Sequence, residues 1–173
     1  MRSFVLFAVF AASSFAQQYS PQGDLVLPKD YRQWVFLSSG IGMTYSNQPN
    51  EHPVFDNVFV NPAAYEAFLK TGAWPDKTVL IKENRASDSR ASNKDGRFQT
   101  RLLGMEAHVK DASRGGWIFY FFRAGDESGK AVPNQAACVS CHEKAAVDST
   151  FVEFYPSLID IAKQKGTWKE PQQ

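Results

Sequence analysis

"FQTRLLGMEAHVKDASRGGWIFYFF", Phe98 to Phe122, is the stretch that decides the fold. Two long runs of strand character, 98–111 and 115–122, are separated by little more than Ala112-Ser113-Arg114. So short a connection makes the two strands antiparallel neighbours, because a parallel pair needs a crossover of about a dozen residues or more. In the first run Glu106 and His108 share one face, and Met105 is out of phase with them. The second run is apolar on both faces and is therefore expected at the centre of the sheet.

Outward from this pair, "VFDNVFV" (54–60) and "TVLIKE" (78–83) read as further strands. Between them "NPAAYEAFLKTG" (61–72) is the clearest helix. Asn61 is a good N-cap, Pro62 suits the first turn, Tyr65, Phe68 and Leu69 form an apolar stripe, and Gly72 stops it. "LPKDYRQWVFL" (27–37) reads as a short helix with Asp30 as its cap. Residues 38–53 are expected as loop, and the polar stretch 86–96 as a mobile loop. Near the end, "TFVEFYPSLIDIAKQKG" suggests an amphipathic helix with Thr150 and Glu153 as a capping box, kinked or displaced by Pro156. There is no internal repeat. Short connections everywhere except at the 61–72 helix predict an α+β fold on an antiparallel sheet.

The first residues, "MRSFVLFAVFAASSFAQQ", have a positive charge at Arg2, an apolar run from Phe4 to Ala12 and small residues before Ala16. This is the pattern of a secretory signal peptide, 1–16, and predicts export to the periplasm. The run is too short to span a bilayer, which needs about 20 apolar residues. Residues 17–26 are polar and turn-like, a flexible lead-in to a domain over 27–173. The formal net charge of +1 vanishes with Arg2, so no basic excess points to nucleic acid or an anionic membrane. Fourteen Phe, six Tyr and four Trp suit a dense core or a pocket for a large flat ligand.

The only two cysteines lie in Cys138-Val139-Ser140-Cys141-His142, a C-x-x-C-H sequence. That is the signature of covalent c-type haem attachment. Two thiols three positions apart on one helical turn reach the two vinyl groups, and the adjacent His142 becomes the proximal ligand of the iron. A thioredoxin-like pair would need a β-α-β setting, and a zinc site two further Cys or His ligands nearby. Neither is present. No Met or His follows His142, Met43 sits in a Gly-rich loop, and Met105 is out of phase with Glu106. An open sixth position is therefore expected, where small molecules bind and react.

The chain resembles the cytochrome P460 family, which includes the β-sheet form of cytochrome c′. The likeness rests on "LPKDYRQWV", "VFVNPAAYEAFLKTGAWPDKTVLIKE", "GMEAHVKD", "GWIFYFF" and "CVSCHEKAAVDSTFVEFYPSL", in that order. It implies a twisted antiparallel sheet with helices packed around one C-terminally attached haem c, usually as a homodimer. It also implies oxidation of hydroxylamine to nitrous oxide or nitric oxide, with electrons passed to a soluble cytochrome c. The family's lysine bonded to the haem ring falls on Lys82. Strand alternation puts Lys82 on a face with Thr78 and Leu80; turned inward on an apolar face it would tend to lose its charge, a solvated strand-end lysine being the other reading. The family's distal carboxylate falls on Glu106, a general base for bound hydroxylamine. His108 shares its face and would extend a proton path, or serve the fold alone.

Aromatics line part of the distal wall in this family, and Phe55 and Phe59 are the candidates here, with core packing as the other reading. Where the family's hydroxylamine-oxidising enzyme has a basic residue in this strand, the chain offers Asp56 or Asn57. The loop before Cys138 is also shorter. A second function therefore stays open: a gas-binding protein that captures nitric oxide in an apolar distal pocket, without the lysine bond or turnover.

Overall fold

The computed structural model describes residues 17–43, 52–90 and 92–172. The signal segment 1–16 lies outside the described residues. The hairpin read from 98–122 forms the middle of the molecule. Strand β5 (Asn93–Asp111) pairs antiparallel with β6 (Gly116–Arg123), in register from Gly104 opposite Arg123 to Asp111 opposite Gly116. On one side follow β4 (Val79–Arg90), β3 (Phe55–Val60) and β2 (Val35–Ile41). On the other lie β7 (Ser128–Ala131) and β1 (Leu25–Val26). The seven strands form one antiparallel sheet in the order β1-β7-β6-β5-β4-β3-β2.

Alternation along these strands makes two cores. Val79, Ile81, Met105, Ala107, Val109, Tyr120 and Phe122 point to one face and pack with Leu25, Tyr31 and Trp34. Val60 and Leu80 point to the other face, where Phe68 of helix α1 (Pro62–Thr71) and Leu158 and Ala162 of helix α3 (Pro156–Gln164) cover them. β6 is central and apolar on both sides, as its sequence predicts. Helix α1 starts at Pro62 and ends at Gly72, whose φ of 72° is the left-handed conformation a glycine C-cap allows. The Asn61 side chain does not cap it; its Oδ1 accepts from the Val79 amide (2.8 Å) and ties the helix to β4. Among the described residues no helix is long and apolar enough to cross a membrane.

Four local expectations are corrected. Residues 17–26 are not a free lead-in: Leu25 is 1% exposed, β1 pairs with β7, and Tyr19 donates to Asp111 Oδ2 (2.8 Å). With α1 and α3 on the opposite face, this segment and the Tyr31 turn cover the core of Ile81, Ala107 and Tyr120. Within 27–37 only Tyr31–Gln33 is helical, as one 3-10 turn, and Val35–Ile41 is a strand running into the expected loop. Pairing with β3 outweighs the helical spacing of Tyr31 and Trp34, both of which bury their rings anyway. The polar stretch 86–96 continues the β4–β5 hairpin as far as Arg90 opposite Asn93, because ladder hydrogen bonds need no apolar side chains. The capping box does not form. Glu153 accepts from the Ala146 amide, Thr150 bonds elsewhere, and α3 begins only at Pro156.

Beneath the Tyr31 turn lies Glu83, 2% exposed. It accepts from the Tyr31 hydroxyl, from Arg32 Nε (2.7 Å) and from Arg85 Nε (2.7 Å). Burial pushes its carboxyl up, but the Arg85 and Tyr31 hydrogen bonds and both guanidinium charges outweigh it, leaving a net shift below the ordinary value of 4.5. A depressed carboxylate stabilises the fold above that ordinary value, and the gain is lost as pH falls through the lower folded-state value. Glu83→Gln should cost about 2 kcal/mol at neutral pH. It should also flatten the acid limb of a plot of urea midpoint against pH.

Candidate functional site

The C-x-x-C-H segment forms helix α2 (Ala136–His142). Gln135 Oε1, at its start, accepts from the Phe119 amide (3.0 Å), which fixes the helix against β6. Cys138 and Cys141 are half-buried free thiols one turn apart. His142, at the last position, has Nδ1 2.9 Å from the Ser149 carbonyl. A carbonyl only accepts, so Nδ1 carries the hydrogen and Nε2 keeps a lone pair. Burial lowers the pKa of this imidazole, favouring the neutral form that ligates metals. A second hydrogen bond of this kind orients a ligating histidine and raises its basicity.

The Ser149 carbonyl is presented by a strained turn. Asp148 and Ser149 have φ of 45° and 58°, left-handed values that non-glycine residues adopt only under constraint. The constraint comes from β5 and from the Trp74 loop. Lys110 Nζ donates to Asp148 Oδ2 (2.7 Å) and to the Trp74 carbonyl (2.8 Å). Trp74 Nε1 donates to Thr150 Oγ1 (2.7 Å), which in turn donates to the Val147 carbonyl (2.6 Å). The Trp74 ring, 2% exposed, packs on Phe68.

A cavity of about 540 Å³ opens between the sheet and these segments, within the usual range for ligand pockets. Its sheet wall is Asp56 and Val58 of β3, Leu80 and Lys82 of β4, Glu106 and His108 of β5, and Phe119 of β6; His142 and Phe151 face them. Lys82 lies directly opposite both Val58 and Glu106 in register. Its Nζ is 3.1 Å from Glu106 Oε1 and 3.9 Å from Asp56 Oδ1. Asn84 Nδ2 also donates to Glu106 Oε1 (3.0 Å). A second cavity of about 840 Å³ shares Glu106 and Phe119 and reaches Cys138, whereas Cys141 and His142 line the first.

These features fit a c-type haem. The two thiols, one helical turn apart, line cavities that share Glu106 and Phe119, and His142 keeps Nε2 free beside them. Around the cavities Phe121, Phe154 and Met43 are about half exposed, a loose apolar rim that a large flat ligand would cover. His108 Nε2, buried on the cavity wall, has no hydrogen-bond partner among the described residues.

Of the residues singled out in the sequence, Lys82, Glu106, Cys138, Cys141 and His142 come together here. Phe55 and Phe59 do not. Val58 faces Lys82, so even-numbered β3 residues point to the cavity and odd-numbered ones away. Phe59 packs edge-on to Tyr31 (5.9 Å) of the opposite core and to the exposed Phe36 (5.6 Å) on that face. The aromatic wall is made instead by Phe119 and Phe151, whose rings contact His142 at 4.7 and 4.4 Å. Phe119 was legible from its phase in β6; Phe151 was not, since only the turn after α2 brings it in.

The same parity separates the two candidates for the missing basic residue. Asp56 faces the cavity, while Asn57 bonds to Gln99 and Ser39 on the other side. The Lys82 face is not apolar, because Asp56 and Glu106 flank the ammonium. His108 is packed as a structural histidine: burial and neighbouring His142 push its pKa down to about 2, and its ring stacks on Phe119 at 4.1 Å. Met105 is buried in the far core, as its phase predicts. Met43 stands at the cavity rim, folded against Gly40, where an added Cβ would meet its Sδ at 2.4 Å.

The turn that orients His142 can be tested through Thr150. Thr150→Val preserves shape but orphans Trp74 Nε1 in the core. A loss of about 2 kcal/mol is expected in denaturant unfolding. Thr150→Ser, which keeps the hydroxyl, should recover part of it.

No curated protein matches the chain. The profile of the cytochrome P460 family matches residues 28–152, a span that includes β2 to α2, Lys82, Glu106 and the whole C-x-x-C-H sequence. With the antiparallel sheet, the paired thiols and the oriented imidazole in place, the chain belongs to the cytochrome P460 family and is a haem-binding c-type cytochrome.

Proposed function

We propose that this protein is an exported oxidoreductase with one covalent haem c that oxidises hydroxylamine to nitrous oxide or nitric oxide. The observation carrying this reading is the Lys82–Glu106 pair, 3.1 Å apart on adjacent strands in the cavity that also holds His142. A bound haem would supply an iron able to accept electrons from substrate. Cys138 and Cys141 would hold its edge, and His142 Nε2 would bind the iron.

Glu106 takes protons from hydroxylamine. Its side chain is 48% exposed, so each proton passes on to solvent without a relay. Asn84 and Lys82 hold its Oε1 and so orient the carboxylate. Lys82, across the ladder from Glu106, would supply the nitrogen that bonds to the ring. Phe119 and Phe151 brace His142 and keep water from it. Electrons leave to a soluble cytochrome c, and the family's habit suggests a homodimer in the periplasm, reached through the signal at 1–16.

One observation favours a second reading. Asp56 stands on the cavity wall in the strand where the family's hydroxylamine-oxidising enzyme has a basic residue. The protein would then be a β-sheet cytochrome c′-like nitric oxide binder.

Mass spectrometry separates the two. In holoprotein matured in a host that assembles c-type haem, the enzyme reading expects the Lys82 peptide attached to haem and a red-shifted ferrous Soret band. A free Lys82 peptide with an ordinary c-type spectrum favours the gas binder. Glu106→Gln should lower hydroxylamine turnover about a hundredfold with haem content intact. Unchanged turnover would remove Glu106 from the mechanism.

A further inference from the structure

The sheet wall of the first cavity carries unbalanced charge. Glu106 and Asp56 present two carboxylates, and Lys82 is the only lysine or arginine lining the cavity among the described residues. The ladder explains how three charges meet. Lys82 lies opposite Glu106 on β5 and opposite Val58 on β3, so Asp56, two residues from Val58, is its diagonal neighbour on the same face. The distances are unequal, with Nζ 3.1 Å from Glu106 and 3.9 Å from Asp56. Asp56 is thus the carboxylate less fully compensated. It is also the more sheltered, its side chain 12% exposed against 48% for Glu106, so water and salt screen it poorly.

We propose that Asp56, acting with Glu106, makes this cavity a selector for small nitrogenous bases bearing N–H or O–H donors, and against anions that otherwise ligate ferric iron. A carboxylate accepts hydrogen bonds from the donor end of hydroxylamine or hydrazine and attracts their protonated forms. It repels azide, cyanide and nitrite as they approach the same position. The proposal rests on the haem occupying this cavity but not on hydroxylamine being oxidised there. It gives Asp56 a specificity role.

The experiment is a spectroscopic titration of ferric holoprotein with azide, and separately with nitric oxide, which is uncharged and has no donor. Removing one sheltered charge from the cavity wall should tighten azide binding about tenfold in Asp56→Asn. Nitric oxide affinity should not change, and Asp56→Glu, which keeps the charge, should exclude azide like the parent. Asp95→Asn, on the exposed far end of the β4–β5 hairpin, should leave both affinities unchanged. Azide affinity unaltered in Asp56→Asn, or raised equally in Asp95→Asn, would overturn the proposal. Should Asp56→Asn fail to take up haem, Glu106→Gln tests the same field and must also tighten azide. An azide shift in a protein that never oxidises hydroxylamine would uphold the selector and overturn only the enzyme reading.

Discussion

Register across β3, β4, β5 and β6 is the constraint on which both core and site depend. Side chains alternate with a period of two, so one set of ladder pairings sends Ile81, Met105, Ala107 and Tyr120 to one core and Lys82, Glu106, His108 and Phe119 to the cavity. A slip of one residue would exchange the two sets, burying a lysine and a glutamate among aliphatic groups and exposing the core. That cost, summed over four strands, is what holds Lys82 opposite Glu106. The charged pair contributes little by itself, since Glu106 is half exposed. The apolar residues on the far face set its geometry.

The two faces are closed by different parts of the chain. Residues 17–34 cover one, with Leu25, Tyr31 and Trp34 in the core and the Glu83 cluster pinning the turn. Helices α1 and α3 cover the other and leave a gap where α2 and the following turn approach the sheet. The cavity is that gap. One wall is rigid strand, and the other is a short helix whose thiols and imidazole are placed by a hydrogen bond to Phe119 and by the turn at 147–150.

That turn links the fold to the chemistry. Two consecutive left-handed residues persist because Lys110, Trp74 and Thr150 over-determine them. Lys110 is on β5, two residues from His108, so the strand that lines the cavity also holds the carbonyl that orients His142. The arrangement suits a site that must hold an imidazole in one tautomer and one direction.

The amino-acid sequence by itself determined the antiparallel hairpin, helix α1, the haem-attachment motif, and the faces of Lys82 and Glu106. Each follows from short-range chemistry: strand alternation, a proline-initiated and glycine-terminated helix, and thiols one turn apart. Only the tertiary structure decided where residues 17–41 and 86–96 lie, because their strands are stabilised by pairing partners far away or by backbone bonds blind to side-chain type. It also decided which aromatics face the ligand. Phe55 and Phe59 look equivalent to Phe119 and Phe151 in composition, and only the parity of β3 against β4 and the turn after α2 separate them. The same parity made Asp56, not Asn57, a cavity residue, a distinction that no pattern within "VFDNVFV" contains, since it depends on which neighbour each face meets.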